Sequence, residues 1–287
     1  MQSFAIGPGT ALPGLFLEAM NEALILVTND DGVRALGIEV LADALGELGE
    51  VYVVAPDQEQ SATSHKQRRS HSLNIKDPLR ARKNDERVYE VNGTPADCVY
   101  LAMAELLPRR PSLLVSGINQ GPNLGDDVYR SGTVGGAREG CFWGVHSIAV
   151  SLAARSGHDF SHAAEFARRI AARVLEDGLP ERSFLNVNVP PGPPAGVRVT
   201  VQGPPSDGSP PREGHAGGYY WPDEDRHRWV SNEPSDLGVV SSGRISVTLI
   251  QTDCTNHRLT GRLQGWVRDL DGRSQDEQPK AADAQER

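Results

Sequence analysis

The stretch ALILVTNDDG, residues 23–32, joins an uninterrupted apolar run to a sharp polar turn. An apolar run of this length predicts a strand buried on both faces, as in a parallel sheet. Apolar residues then recur three and four positions apart: Ile38, Leu41, Leu45 and Leu48. This spacing predicts an amphipathic helix that ends at Gly49, and residues 51–54 (VYVV) predict a second strand. The sequence therefore predicts a β-α-β unit that opens a doubly wound sheet.

The alternation of strands and helices continues along the chain. Further strands are predicted at 88–91, 112–116, 147–152, 184–189, 197–201 and 245–250. Thr94 and Pro95 predict the N-cap and first residue of a helix that runs to about Leu107. A glycine-rich helix is predicted to follow Ser131, and Ser161 is predicted to cap another. These elements predict an α/β fold with a doubly wound, mostly parallel sheet.

Four parts are predicted along the chain. Residues 1–19 lack the basic start of a secretory signal and are predicted to be an N-terminal extension. Residues 20–180 are predicted to form the α/β core. Residues 181–268 are predicted to hold further strands and a projecting hairpin, since residues 203–218 are dense in glycine, proline and serine. The polar tail, residues 269–287, is predicted to be disordered.

Composition argues against several classes of protein. The formal net charge of −9 argues against a partner that is a nucleic acid polymer, because such partners select for clustered lysine and arginine. A small anionic substrate stays compatible with this charge. No window approaches the roughly 20 apolar residues that span a membrane. The three cysteines, Cys98, Cys141 and Cys254, form no CxxC pair, which argues against a zinc cluster or a disulfide framework. A reducing cytoplasm is therefore the expected location.

Polar side chains collect at the ends of the predicted strands, where ligands bind in open α/β sheets. Four segments supply them: Asn29, Asp30 and Asp31; Asp57 and Ser61; Asn119 and Asn123; and Ser131, Gly132 and Thr133. Adjacent carboxylates with neutral oxygens from asparagine and serine suit Mg²⁺ or Mn²⁺ better than zinc. The glycine-rich helix start at 131–136 offers backbone amides to phosphate oxygens. The residues alone therefore predict a metal and phosphate site without naming a substrate.

Each of these signals also has a purely structural interpretation. The sequence NDDG at 29–32 is a good turn in its own right, and residues 119–123 could form another. Ser-Gly-Thr before a helix is commonly a cap. His65 and His71 flank a basic stretch, residues 66–69, that is typical of a solvated loop. The strand-end position of the NDDG turn is what favours a site over a mere turn.

Taken together and in order, the motifs resemble the SurE family of stationary-phase survival proteins and 5′-nucleotidases. The matching pieces are residues 25–32 (ILVTNDDG), 54–57 (VAPD) with Gln60 and Ser61, 91–99 (VNGTPADCV), 115–119 (VSGIN) with Gly121, 123–125 (NLG) and 131–134 (SGTV). One such motif is weak, whereas several collinear motifs are highly specific. The resemblance extends over residues 24–152 and, more loosely, over residues 184–255.

The resemblance implies a Rossmann-like core with a smaller carboxyl-terminal part that supports a homodimer or homotetramer. It also implies one divalent metal ion per subunit, Mg²⁺ or Mn²⁺, with these ligands: Asp30, Asp31, Ser61 and Asn119. Carried over in the same way, the catalytic residues are Asp30, Asp31 and Asn119, and the phosphate-binding residues are Asn29, Asn119, Ser131, Gly132 and Thr133. The implied reaction is hydrolysis of nucleoside 5′-monophosphates, with 3′-monophosphates and short polyphosphate as further substrates.

The sequence departs from the family pattern at three places. Gln58 stands where many members carry arginine. Residues 66–70 look like extra sequence, so either His65 or His71 occupies the family's histidine position. Leu249 stands where proline is usual in the closing strand. The last departure bears on the assembly contacts and not on the metal site.

Three other functions use parts of this pattern. A Rossmann-type dinucleotide oxidoreductase would carry GxGxxG after the first strand, and this sequence has none there. A phosphatase of the haloacid dehalogenase type would split its acids as DxD, whereas Asp30 and Asp31 are adjacent. A non-catalytic nucleotide sensor would keep the same ligands, so the sequence does not separate it from an enzyme. Nor does the sequence decide whether Asp30 or Asp31 acts as a base.

Overall fold

The computed structural model describes residues 23–68, 80–154, 159–204, 212–213, 220–221 and 234–271. Its strands are β1 (Leu24–Thr28), β2 (Glu50–Pro56), β3 (Ala81–Asp85), β4 (Val88–Val91), β5 (Leu113–Gln120), β6 (His146–Leu152), β7 (Ser183–Val189), β8 (Val197–Thr200), β9 (Arg212–Glu213), β10 (Tyr220–Trp221) and β11 (Ile245–Gln251). Its helices are α1 (Leu36–Leu45), α2 (Pro95–Leu101), α3 (Asp127–Arg130), α4 (Gly132–Phe142), α5 (Ser161–Asp177), α6 (Asp236–Ser241) and α7 (Thr260–Asp271). A short π-helix, Ala102–Leu106, continues α2.

Nine of these strands form one mixed sheet in the order β3-β4-β2-β1-β5-β6-β7-β11-β8. The strands from β4 to β7 in this order pair in parallel, while β3 and β11 run antiparallel to β4 and β7. The chain proceeds from β1 to β2 on one side of β1 and returns to β5 on its other side. The carboxyl ends of β1 and β5 therefore lie side by side at the switch point, where ligands bind in this type of fold.

The sheet is covered by helices on both faces. Ile25 and Val27 of β1 lie in a core that also contains Ile38 of α1 and Phe166 of α5. Leu26, whose side chain points the other way, lies in a second core with residues of α2 and α4. A strand buried on both faces is what the uninterrupted apolar run predicted. The predicted α/β class with a mostly parallel, doubly wound sheet is confirmed.

Most predicted elements are present, with two corrections at helix ends. The first helix ends at Leu45 with Gly46 as its C-cap, not at Gly49. Gly49 has another role, because a β-carbon there would come within 2.3 Å of the carbonyl oxygen of Ala23. Ser161 is the first residue of α5 and not its cap. Its backbone amide donates instead to the carboxylate of Asp159, at 3.0 Å.

The predicted carboxyl-terminal strands extend the same sheet. The sheet continues across the boundary that was predicted after residue 180, because β7 pairs with β6 and β11 pairs with β7 and β8. The predicted projecting hairpin is described only at its β9–β10 pair. The compact unit that contains the sheet ends at Thr252.

A second unit begins at Asp253 and contains α7, which sequence patterns did not predict. This helix reaches Asp271, so it includes the first residues of the tail that was predicted to be disordered. The predicted N-terminal extension, residues 1–19, and the rest of the tail lie outside the described residues. Across the parts of the chain that the structure describes, no helix combines the length and apolar character needed to cross a membrane.

Candidate metal and phosphate site

Asp30 is the central group of the predicted site and follows β1 directly. Its side chain is buried, with 3% of the residue exposed. Thr133 at the start of α4 donates its hydroxyl to Oδ1 of Asp30, across 103 residues of sequence. Burial raises the pKa of Asp30 to about 6, the Thr133 hydrogen bond opposes that rise, and the charge of Asp31 adds to it. The site therefore holds two neighbouring carboxylates that repel each other, and one of them, Asp30, is buried.

Asn29 shapes the turn that presents the two aspartates. Its Nδ2 donates to the carbonyl oxygen of Gly32 at 2.9 Å, and its Oδ1 accepts from the amide of Gly32 at 3.2 Å. The next residue, Val33, donates its amide to the carbonyl oxygen of Pro56 at the end of β2, at 2.8 Å. Both polar atoms of Asn29 are thus engaged within the turn. Its predicted contact with phosphate stays a prediction.

Asp31 reaches the end of β5, the strand that carries Asn119, because β5 lies beside β1. Oδ2 of Asp31 accepts the backbone amide of Gln120 at 3.1 Å. Asn119 donates Nδ2 to the carbonyl oxygen of Gly121 at 2.8 Å. This bond fixes the side-chain amide by its nitrogen, and the oxygen, which is the atom a cation would bind, takes no part in it. Both side chains are only partly buried, unlike Asp30.

The start of α4 faces Asp30. Ser131 is its N-cap, with Oγ accepting the amide of Val134 at 3.1 Å. A β-carbon at Gly132 would lie 2.9 Å from Cβ and 3.0 Å from Oδ2 of Asp30, so no larger residue fits without displacing the carboxylate. The positive end of the helix dipole therefore lies against Asp30. The three predicted residues have different roles. Ser131 caps the helix, Gly132 allows Asp30 to approach closely, and Thr133 donates a hydrogen bond to Asp30.

Ser61 lies in a loop, residues 61–68, that follows β2 and packs on α4. Its hydroxyl is exposed and donates to the carboxylate of Glu59 at 2.7 Å. The residue before it, Gln60, donates its amide to the carbonyl oxygen of Asp30 at 2.7 Å. A β-carbon at Gly135 would come within 2.5 Å of the carbonyl oxygen of Ser64, so this loop lies directly on the helix backbone. The loop thus connects the predicted ligand Ser61 to the helix that holds Asp30.

A second buried carboxylate, Glu139, anchors the same loop. Its Oε2 lies 2.8 Å from Nε2 of His65, and its Oε1 accepts the indole N–H of Trp143 at 3.0 Å. Burial acts to raise the pKa of Glu139, but the hydrogen bonds from His65 and Trp143 outweigh it, and the pKa is lowered from its usual value. Sequence analysis left open whether His65 or His71 matters here. His65 makes this contact, and His71 lies outside the described residues.

The other predicted polar residues are brought to the same edge but serve different purposes. Asn123 is buried, with its amide bonded to Oδ1 of Asn188 at 2.8 Å and its Nδ2 bonded to Oγ of Ser151 at 2.7 Å. Asp57 is exposed, and its backbone amide bonds to Val91 at 2.8 Å. Sequence reasoning missed Thr63, whose hydroxyl lies 3.1 Å from the β-carbon position of Gly132. No sequence signal marks such a contact.

The donor set fits a hard divalent cation. The predicted ligands offer two carboxylates, one amide carbonyl and one hydroxyl, which match the preference of Mg²⁺ and Mn²⁺; the hydroxyl, that of Ser61, is bonded to Glu59. Within the described ranges, no three His, Cys, Asp or Glu side chains form a group that could hold a metal ion. A site here would therefore depend on the neutral oxygens of Asn119 and Ser61 beside the aspartate pair. The repulsion that helps to raise the pKa of Asp30 is relieved by a bound cation.

Comparisons with known proteins identify the family of this chain. Residues 25–207 match the sequence model of a family described as "Survival protein SurE". A relative from Geotalea uraniireducens, named 5′-nucleotidase SurE, is 44% identical over 252 residues, covering 84% of this chain and 98% of its own. A relative of the same name from Geotalea daltonii is 45% identical, with the same coverage. The crystal structure of the SurE protein from Aquifex aeolicus superposes with a TM-score of 0.74 at 38% identity, covering 85% of this chain and 99% of its own.

Proposed function

This chain belongs to the SurE family, and on that premise we propose that it is a 5′-nucleotidase that uses a divalent metal ion. Its reaction is hydrolysis of nucleoside 5′-monophosphates to nucleoside and phosphate. The observation that carries the proposal is the pair of adjacent carboxylates, Asp30 and Asp31, at the carboxyl end of β1. Asp30 is buried against the start of α4, and Asp31 reaches the end of β5.

The residues that would hold the metal ion, Mg²⁺ or Mn²⁺, are Asp30, Asp31, Ser61 and Asn119. One ion per subunit is proposed. Bound there, such an ion polarises a phosphoryl group, neutralises developing charge and lowers the pKa of bound water. The hard oxygen donors and the mutual repulsion of the two aspartates support this assignment.

The chain's own groups bind and orient the substrate. The start of α4 presents its positive end to Asp30, so a phosphate beside Gly132 and Thr133 would meet backbone amides and a favourable dipole. Asn119, Ser131 and Asn29 complete the proposed phosphate-binding set. Asp30, Asp31 and Asn119 are the proposed catalytic residues, because they would hold the metal ion beside the phosphate.

The substrate range and the assembly are finer proposals. Nucleoside 3′-monophosphates and short polyphosphate are proposed as additional substrates, because a site built on phosphate and metal contacts selects the phosphoryl group first. A homodimer or homotetramer is the proposed assembly. Light scattering coupled to size-exclusion chromatography measures its mass, and a monomer at micromolar concentration would contradict it.

Phosphate release tests the proposed activity. The purified chain is incubated with nucleoside 5′-monophosphates, nucleoside 3′-monophosphates and short polyphosphate, each with Mn²⁺, with Mg²⁺ or with a chelator. We expect release from the 5′-monophosphates with metal and none with chelator. Tight nucleotide binding without metal-dependent release would instead support a nucleotide sensor and contradict the proposal.

A further inference from the structure

The loop of residues 61–68 adopts a backbone that needs external support. Ala62 and Ser64 have φ values of 55° and 56°. These lie in the left-handed region, which residues with a β-carbon rarely adopt. Such conformations persist only where surrounding contacts hold them, and they are concentrated at functional sites. The loop begins with Ser61, so the contacts that hold it also determine where that hydroxyl lies.

Backbone contacts hold the loop at its middle and far end. The amide of Ser64 donates to the carbonyl oxygen of Arg130 at 2.8 Å, and its hydroxyl donates to that of Tyr129 at 2.6 Å. Further along, the hydroxyl of Thr94 donates to the carbonyl oxygen of Lys66 at 2.5 Å. One of these bonds is donated by a backbone amide and two by the hydroxyls of Ser64 and Thr94. They tie the loop to α3 and to the start of α2.

The pair His65 and Glu139 ties the loop to α4 by side chains. Nε2 of His65 lies 2.8 Å from Oε2 of Glu139, and the two side chains are 22% and 5% exposed. The carboxylate is shared, since its other oxygen accepts from Trp143 at 3.0 Å. His65 also packs against the ring of Phe142, with ring centroids 5.4 Å apart. A buried carboxylate that takes part in two hydrogen bonds holds its partner in a defined orientation.

Both ends of this contact lead to the proposed metal ligands. His65 lies four residues after Ser61, on a loop that touches Gly132 through Thr63. Glu139 lies on the same helix as Thr133, the residue that bonds Asp30. The pair therefore joins the segment that carries one ligand to the helix that positions another. The pair acts on the site through these two elements.

We propose that His65 and Glu139 form a positioning pair, which fixes the loop of Ser61 on α4 and thereby sets the affinity of the site for its divalent metal ion. The inference rests on the proposed metal-dependent function and deepens it. Neither residue contacts the reacting groups. Groups that orient metal ligands from outside the coordination sphere change metal affinity when removed.

The test compares two variants that remove donors from the same carboxylate. His65→Ala removes one donor on the loop, where Gln67 also bonds this carboxylate, whereas Trp143→Phe removes the donor on α4 and keeps an aromatic ring beside Tyr100. Mn²⁺ binding is measured by calorimetry without substrate, and phosphate release is measured over a Mn²⁺ titration. We expect His65→Ala to weaken Mn²⁺ binding about tenfold or more. Its kcat at saturating Mn²⁺ should change less than about twofold.

The matched control should behave differently. Trp143→Phe should leave the Kd for Mn²⁺ within about twofold of wild type, although it loses a bond to the same group. The double variant His65→Ala/Glu139→Gln should bind Mn²⁺ within about twofold of His65→Ala, because only the weaker bond from Gln67 remains to be altered. Equal shifts in His65→Ala and Trp143→Phe would mean general destabilisation and would overturn the inference.

The outcomes also separate this inference from the proposed function. Wild-type protein that binds no Mn²⁺ would overturn both together. Wild-type protein that binds Mn²⁺ and releases phosphate, beside a His65→Ala variant with unchanged Kd, would overturn the positioning role alone. A His65→Ala variant with normal Mn²⁺ binding but a large loss of kcat would overturn it as well, since His65 would then act in the chemistry.

Discussion

Two helices of this protein begin in almost the same way, yet only one begins at the proposed site. Ser131 caps α4 and Ser235 caps α6, each accepting a backbone amide three residues ahead at 3.1 Å. A buried aspartate lies at each helix start. Asp30 accepts a hydrogen bond from the start of α4, and Asp236 is the first residue of α6. Burial raises the pKa of both carboxyl groups. The local signals of a cap and a buried acid therefore do not distinguish the two places.

The difference lies in how the two carboxylates are satisfied. Both oxygens of Asp236 accept backbone amides: Gly125 at 3.0 Å, Gly203 at 2.8 Å and Leu237 at 2.7 Å. The charge is thus dispersed over three chain segments that it holds together. Asp30 instead has its hydrogen bond from Thr133 on Oδ1 and a second carboxylate, Asp31, as its neighbour. A buried acid with many donors can hold chain segments together, whereas the charge of a buried acid beside another acid is relieved by a proton or by a bound cation.

The largest expected effect that tests this contrast is on turnover. Asp30→Asn should lower kcat/KM for a nucleoside 5′-monophosphate at least about 1000-fold, because a metal ligand and half of the acidic pair are lost. Phosphate release at saturating Mn²⁺ measures it, and circular dichroism checks that the variant is folded. Activity within tenfold of wild type would remove Asp30 from the proposed site.

The same substitution should stabilise the metal-free protein near neutral pH. The folded pKa of Asp30, about 6, lies above its ordinary value of 3.8, so the folded state binds this proton more tightly than the unfolded state. Stability is therefore lost as pH rises from about 4 through 6, and Asn, which stays neutral, avoids that loss. Asp30→Asn should gain up to about 3 kcal/mol at pH 8 in chelator and nothing at pH 4. Urea unfolding at the two pH values measures the difference.

Asp236→Asn should have the opposite sign. An asparagine there must turn its NH₂ toward one of the backbone amides that now donate to the carboxylate. We expect a loss of about 2 to 3 kcal/mol in unfolding free energy at pH 7. Urea unfolding of Asp236→Asn and Asp30→Asn under the same conditions compares their unfolding free energies directly. Stabilisation of both variants would show that the hydrogen bonds of Asp236 do not set it apart from Asp30.

The smallest expected effect separates the two serine caps. Ser131→Ala and Ser235→Ala should each lose about 1 kcal/mol of stability, since each removes one side-chain cap. Only Ser131→Ala should also raise KM for the nucleotide, because Ser131 is proposed to bind phosphate. Thermal unfolding and steady-state kinetics give the two readings. An unchanged KM in Ser131→Ala would leave that serine a cap and nothing more.

Sequence analysis predicted the parts of this comparison that depend on local patterns. The apolar run of β1, the turn at Asp30 and Asp31, and the start of α4 are each visible in consecutive residues. The sequence predicted only that the segments of Asp30 and Thr133 lie at the same edge of the sheet, because the carboxyl ends of parallel strands converge there. The bond between them spans 103 positions, and no local pattern specifies it.

Other parts could not be predicted for the same reason. The contact of His65 with Glu139 joins residues 74 apart, and the donors on Asp236 come from up to 111 residues away. In the sequence, Gly49 looks like a glycine that ends a helix. Its role depends instead on how closely the backbone of Ala23 approaches it. Pairings of this kind depend on the order of strands in the sheet. That order becomes known only once the chain is folded.

The glycines of α4 affect when the proposed catalytic centre forms during folding. Gly132, Gly135 and Gly136 allow close approach of Asp30, Ser64 and Ser116, but each costs a helix about 1 kcal/mol relative to alanine. A helix with such a start is not stable alone and depends on the sheet beneath it. The proposed phosphate-binding end should therefore form only together with the sheet. A chain whose sheet is incomplete would carry no complete site.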